Sequence, residues 1–145
     1  MKNNNNLKAD HDTKYLNFFR YGCLFVLVTG ILPTLAIFEV TQEPWRLFFD
    51  VLKWPLDQNP ATFSESDRQL SAVLGGVLCG WAWLMYKLSD PQIFNQKIRV
   101  ILIQSVIVWF LLDSIGSIIT GLPLNAVNNM SFFLILLIPL IKLKK

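Results

Sequence analysis

Residues 100–119 read VILIQSVIVWFLLDSIGSII, and Asp113 is the one charged side chain among them. A helix of this length spans roughly 30 Å, the thickness of the hydrocarbon core of a bilayer. An ionisable group at that depth is costly, and it therefore usually faces a protein partner or an aqueous cavity. The stretch predicts a transmembrane helix with a candidate polar site at Asp113.

The composition of the chain is that of an integral membrane protein. Of its 145 residues, 53% are hydrophobic and 16% are charged, whereas soluble domains have about 25% charged residues. No basic stripe lies outside the flanks of the apolar runs, so nucleic-acid binding is not expected. We expect a single domain whose main partner is the lipid bilayer.

Four apolar runs predict an all-α fold, a four-helix transmembrane bundle. The predicted transmembrane helices cover residues 18–39, 67–88, 97–120 and 127–143, within a transmembrane domain of residues 17–145. Residues 1–16 are polar and predict a disordered N-terminal tail. A signal peptide cleaved at residues 34–36 is the alternative for the first run, but that run exceeds the ~7–15 apolar residues of such peptides.

The long polar connection after the first helix contains a short amphipathic segment. Trp45, Phe48, Phe49 and Leu52 recur at helical spacing, and charged residues occupy the opposite side. We predict a helix over residues 44–53. It either lies on the membrane surface or packs against its own bundle, and the sequence leaves both arrangements open.

The second predicted helix has a recognisable start and a candidate packing face. Ser64 followed by Asp67 resembles a capping box, which would begin the helix. Gly76 and Gly80, four residues apart, allow another helix to approach closely. The partner is either a sister helix, which we favour, or another membrane protein, including a second copy in a homo-oligomer.

Lys and Arg residues are concentrated on one set of connections. They lie before the first apolar run, between the second and third runs, and after the fourth. The connection between the first two runs has Arg46, Lys53 and Arg68, which acidic residues outnumber. Because short connections rich in Lys and Arg stay in the cytoplasm, both termini are predicted to be cytoplasmic and the long connection to lie outside.

Asp113 is predicted to lie ~10 Å below the outer membrane face, at a depth where other polar groups are available. Trp109 and Ser117 flank it on the same helix, and Arg68 could reach inward from the outer start of the second helix. The candidate ligand-binding set is Asp113, Trp109, Ser117, Arg68, Thr34, Asp57 and Asn128. Two interpretations are open: a pocket for a proton, a cation or an amine, and a structural Asp113 paired with Arg68 or hydrogen-bonded to Ser or Trp.

The sequence offers little for catalysis, and no cofactor or metal is expected. No apolar run contains a histidine, and neither Cys23 nor Cys79 belongs to a redox or zinc motif. We therefore expect a non-enzymatic protein that binds a small ligand or partner. The alternatives are a small proton-coupled transporter using Asp113 and a membrane enzyme acting on a lipid-soluble substrate.

A set of short motifs resembles a family of small, uncharacterised bacterial membrane proteins with four transmembrane helices. The motifs are Trp54-Pro55-Leu56-Asp57, Leu74-Gly75-Gly76-Val77 followed by Gly80-Trp81, Trp109-Phe110 followed by Asp113-Ser114, and Gly121, Pro123 and Asn125 at alternate positions. The resemblance covers residues 40–141. It implies an inner-membrane location in a bacterium and groups Asp57, Gly76 and Asp113 in one motif set, but it implies no activity.

Overall fold

The protein is an all-α bundle. A computed structural model describes the backbone of residues 2–53 and 61–143, and the side chains of residues 10–53 and 61–143. Its helices are α1 (Lys2–Thr34), which runs into a 3-10 turn (Leu35–Ile37), α2 (Glu43–Leu52), α3 (Glu65–Leu88), α4 (Gln96–Ile119) and α5 (Pro123–Lys142). The helices α1, α3, α4 and α5 are long and apolar enough to cross a membrane. The predicted four-helix transmembrane fold, with a short helix in its long connection, is confirmed.

The start of α3 follows the sequence signal closely. The Ser64 hydroxyl accepts a hydrogen bond from the Asp67 amide at 3.2 Å, and the Asp67 carboxylate accepts one from the Ser64 amide at 2.9 Å. This reciprocal pair is a capping box. The helix therefore begins at Glu65, two residues before the predicted start.

The start of α1 differs from the prediction, because the helix continues back to Lys2 through the residues expected to form a disordered tail. Leu16 and Phe19 are buried in the same apolar cluster as Phe94 and Leu143. Once a helix has formed, adding residues to it costs much less than nucleating it. Packing of Leu16 and Phe19 thus anchors a helix that propagates into the polar segment.

Backbone packing of the four long helices follows a row of neighbours, α3, α1, α5 and α4, and side-chain contacts between α3 and α4 close this row into a bundle. Helix α1 packs along α3 on one side and along α5 on the other, and α5 packs along α4. The main apolar core lies in the half of the bundle that holds both termini, and its fully buried members include Phe19, Met85, Leu102, Val106, Leu136 and Leu140. Helix α2 and the turn between α4 and α5 lie at the opposite end of the bundle, which we call the α2 end.

Helices α1 and α3 approach each other most closely at Gly75. A Cβ atom added there would lie 2.6 Å from the Gly30 carbonyl oxygen and 2.5 Å from the Thr34 methyl carbon. The prediction that Gly76 and Gly80 pack against a sister helix is wrong, because among the described residues no atom of another helix lies within 4 Å of a Cβ added at either. Each residue turns an α-helix by about 100°, so Gly75 and Gly76 point in different directions.

Two arginines join helices at the terminal end of the bundle. The Arg99 guanidinium on α4 donates to the carbonyl oxygens of Leu140 at 2.7 Å and Ile141 at 3.1 Å, near the end of α5. The Arg20 guanidinium on α1 donates to the Ser89 carbonyl at 3.3 Å, just after α3. Carbonyl groups in the last turn of a helix have no intrahelical partner, and both contacts place a cation beside them.

Candidate ligand-binding site

A cavity of about 420 Å³ lies between the four long helices at the α2 end. Its wall is mainly apolar, and its aromatic members are Phe25, Trp45, Phe48, Phe49, Trp81, Trp109 and Phe132. Its polar members are Thr29, Asp113, Asn125, Asn128 and Asn129. Pockets that bind small molecules have this size and this combination of an apolar wall with a few polar groups.

Helix α2 covers the cavity with its apolar side. Trp45 is only 7% exposed, and its indole N–H donates to the Ser71 hydroxyl on α3 at 3.0 Å. The Trp45 ring also stacks on Phe48 with 5.3 Å between centroids. At the other end of α2, the Asp50 carboxylate accepts a hydrogen bond from the Ala61 amide at 2.6 Å. Of the two predicted arrangements of this helix, packing against the bundle is the one observed.

The Asp113 carboxylate lies on the α4 wall of the cavity. Its Oδ1 accepts a hydrogen bond from the Asn125 amide at 3.0 Å, and the Ser117 hydroxyl lies 3.2 Å from the same oxygen. The Asn125 amide also donates to the Ser117 oxygen at 2.7 Å, and that hydroxyl lies 2.7 Å from the Asp113 carbonyl. The Asn125 amide therefore contacts both Asp113 and Ser117.

Three polar groups on the cavity wall have no hydrogen-bond partner among the described residues. They are Oδ2 of Asp113, the side-chain amide of Asn128 and the indole N–H of Trp109. By contrast, the indole N–H of Trp81 donates to the Ser105 hydroxyl at 2.9 Å, and its ring lies 5.5 Å from that of Trp109. The cavity wall thus offers one free carboxylate oxygen, and the Trp81 and Trp109 rings belong to the same wall.

The structure brings together some of the predicted site residues. Asp113, Trp109 and Asn128 line the cavity. Ser117 does not line it, but its hydroxyl donates to the Asp113 carbonyl. Thr34 lies instead at the α1–α3 contact, where its hydroxyl donates to the Ile31 carbonyl at 2.5 Å. Asp57 lies outside the described residues.

Of the partners considered for Asp113, Ser117 contacts it and Arg68 does not. The Arg68 guanidinium contacts the Glu39 carboxylate at 2.8 Å, and Glu39 lies in the exposed connection after α1. Arg68 is in the first turn of α3 and reaches sideways to this nearby carboxylate. Asp113 receives its hydrogen bonds from neutral groups of α4 and α5.

Asn125 is the functional residue that sequence reasoning missed. It lies before the fourth predicted helix, which starts at residue 127, but the observed α5 begins at Pro123. The α4–α5 turn is tight, because Gly121 has φ of 80° and the Leu122 amide donates to the Ser117 carbonyl at 2.8 Å. Such a helical hairpin sets residues at equal distances from the turn opposite each other. Asn125 and Ser117 each lie four residues from Gly121, so this rule would have predicted their contact.

The polar groups on the cavity wall suit a cation or a ligand that donates hydrogen bonds. Among the described residues, no cluster of three or more His, Cys, Asp or Glu side chains could hold a metal ion. A carboxylate with a free oxygen attracts a positive charge, and the faces of Trp and Phe rings do the same. Protein-family models, curated proteins and solved structures give no significant match to the chain.

Proposed function

We propose that this integral membrane protein binds a small, mainly apolar molecule that carries a protonated amine, in the cavity under α2, and that it is not an enzyme. One observation carries this proposal: Oδ1 of Asp113 is held by Asn125, while Oδ2 has no donor among the described residues. An aspartate that only anchored helices would have donors for both oxygens, because an unpaired charge at this depth is costly. A bound ammonium group would supply the second partner.

The cavity favours ligand binding over the other two functions considered for Asp113. A proton-coupled transporter needs a water path to both membrane faces, and the other half of the bundle is filled by Phe19, Leu102 and Leu136. An enzyme using acid–base catalysis commonly pairs two titratable groups. Asp113 is the one carboxylate on the described wall, and no histidine lines that wall.

We also propose that the α2 end faces the outside of a bacterial inner membrane and that both termini are cytoplasmic. Lys14, Lys97 and Lys142 all belong to the terminal end of the bundle. At the α2 end, Glu39, Glu43, Asp50, Glu65 and Asp67 outnumber Arg46, Lys53 and Arg68. Retention of Lys and Arg in the cytoplasm would give this orientation.

Titration of the purified protein in lipid nanodiscs with benzylamine tests the proposed function. Benzylamine should bind, and Asp113→Asn should raise its dissociation constant by about tenfold or more. A tenfold increase corresponds to the loss of ~1.4 kcal/mol of binding free energy. Benzyl alcohol should bind much more weakly. The matched control is Glu65→Gln, which removes an exposed carboxylate outside the cavity wall.

Thermal melts of both variants accompany the titration. Asp113→Asn should fold normally, because its side-chain oxygen still accepts from Asn125. Unchanged benzylamine affinity in a folded Asp113→Asn variant would contradict the proposal.

A further inference from the structure

The helices α3 and α4 are the two edges of the row, and the side-chain contacts that join them lie at mid-depth, below the α2 end. At mid-depth they are joined by the Trp81–Ser105 hydrogen bond and by the contact between the Trp81 and Trp109 rings. Below this level Ala82 and Val106 are fully buried. Above it, Leu74 and Leu78 of α3 line the cavity opposite Asp113 of α4, and no side-chain hydrogen bond or ring contact joins the two helices in this described region.

We call this region the α3–α4 cleft; it is formed by Leu74, Leu78 and Trp81 on one side and Trp109 and Asp113 on the other. Leu74 is 43% exposed, and Val73, Val77 and Leu112 on the adjoining helix surfaces are more exposed still. In a membrane these apolar surfaces meet lipid chains. The cleft therefore opens from the cavity toward the hydrocarbon of the bilayer.

The end of the cavity that faces the membrane surface is covered. Trp45, Phe48 and Leu52 of α2 lie across it. The Trp45–Ser71 and Asp50–Ala61 hydrogen bonds hold α2 in this position. A ligand that comes from water must displace α2, whereas one dissolved in the bilayer meets the cleft directly.

We infer that the ligand is a single-chain amphiphile with a protonated amine, which enters from the bilayer through the α3–α4 cleft; this rests on the proposed function. Its amine binds Asp113, and its hydrocarbon chain runs through the cleft between Leu78 and Trp109 into the lipid. Asp113 lies six residues before the end of α4, roughly 9 Å along the helix axis. An amine bound at that position therefore lies below the lipid headgroups, in the outer half of the bilayer.

The chemistry of the cleft matches both parts of such a molecule. A hydrocarbon chain loses little when it moves from lipid to a cleft of Leu and Trp, because lipid chains are as apolar as Leu. The amine gains a carboxylate in a cavity whose wall also holds the Trp81 and Trp109 rings. A cavity of about 420 Å³ has room for a drug-sized head and the first part of one chain.

The test uses the full chain in phosphatidylcholine nanodiscs and follows quenching of tryptophan fluorescence by chain-brominated dodecylamine and dodecanol. The amine should quench saturably, with half-saturation at a bilayer mole fraction about tenfold or more below that of the alcohol, a difference that Asp113→Asn should abolish. Lipid-exposed tryptophans are quenched equally by both probes, so the difference between them reports the site.

A second arm of the test fills the cleft. The double variant Leu74→Phe, Leu78→Phe should weaken dodecylamine binding by about tenfold, and by more than it weakens benzylamine binding, because Leu74 and Leu78 also line the cavity. The matched control, Val73→Phe, Val77→Phe, places the same side chains on the outer surface of α3 and should change neither affinity. Size-exclusion chromatography and thermal melts establish that both double variants are folded.

The outcomes separate this inference from the proposed function. If benzylamine binding depends on Asp113 but dodecylamine binds no better than dodecanol, the amphiphile inference is overturned and the proposed function stands. If filling the cleft leaves dodecylamine unaffected, entry through the cleft is overturned. If neither amine depends on Asp113, both proposals fail. Should the cleft variant not fold, the comparison of amine with alcohol on the unmodified protein still decides the ligand class.

Discussion

At the scale of single residues, the geometry of the site depends on the amide of Asn125. It donates to both Asp113 and Ser117 and so couples the start of α5 to the polar face of α4. The neighbouring Asn128 lines the same cavity, but its amide has no hydrogen-bond partner among the described residues. The two asparagines therefore make a matched pair, one that holds the carboxylate and one that is free to contact a ligand.

Replacing Asn125 should destabilise the protein, whereas replacing Asn128 should not. Asn125→Leu removes a hydrogen bond to a charged group, and we expect the free energy of unfolding to fall by about 1.5–3 kcal/mol. Asn128→Leu should change it by less than about 0.5 kcal/mol. Chemical denaturation in detergent measures both values. Equal effects of the two substitutions would contradict the role given to Asn125.

Arg68 should contribute little to stability. It pairs with Glu39, whose side chain is 76% exposed, and ion pairs in such surroundings contribute about 0–1 kcal/mol. Arg68→Gln should therefore lower the melting temperature only slightly, and Glu39→Gln should act alike. A partner of an otherwise unpaired buried carboxylate would be worth about 3–5 kcal/mol. A large loss on Arg68→Gln, absent in Glu39→Gln, would show that Arg68 has another partner.

At the scale of helices, rotation about the axis decides which glycine matters. Gly75→Leu should prevent the close approach of α1 and α3 and lower the free energy of unfolding by at least about 1–3 kcal/mol. At Gly76 an added Cβ has no atom of another described helix within 4 Å, so Gly76→Leu should lower it by less than about 0.5 kcal/mol. Thermal unfolding in detergent compares the two adjacent substitutions directly. A greater loss for Gly76→Leu would reverse the face assigned to α3.

The helices themselves were predictable, because the bilayer imposes their length and apolar composition. The predicted bounds of α2, α3 and α4 agree with the observed ones to within two residues. The rotation of each helix was not predictable in the same way, since every face of a membrane helix can be apolar. The four-residue spacing of Gly76 and Gly80 therefore did not reveal which way they point, and Arg68 could be named only as one possible partner of Asp113.

The central residue of the site, Asp113, was predictable from the sequence, but its hydrogen-bond partner on α5 was not. A carboxylate in a lipid-like sequence indicated Asp113, and its helical neighbours Trp109 and Ser117 followed from spacing alone. Asn125 belongs to another helix, and its contact with Asp113 depends on the length of the α4–α5 turn. Placing the start of α5 four residues too late removed that contact from the prediction.

At the scale of the whole molecule, orientation in the membrane is open to direct measurement. In a background in which Cys23 and Cys79 are replaced by alanine, we expect Lys53→Cys to react with an impermeant thiol reagent on intact cells. Lys14→Cys should react only after the cells are permeabilised, because the basic end is predicted to be cytoplasmic. The reverse pattern would place the α2 end in the cytoplasm.

The place of α5 in the row bears on how the bundle is made. Helix α5 leaves the ribosome after α1, α3 and α4, yet it lies between α1 and α4. Until it arrives, α4 has no neighbour along this side, and the Asp113 carboxylate has no amide to hold it. The tight turn at Gly121 delivers Asn125 as soon as the hairpin closes. The polar site is therefore completed only when α5 pairs with α4. A nascent chain halted before α5 would present the Asp113 carboxylate to the insertion machinery without its Asn125 partner.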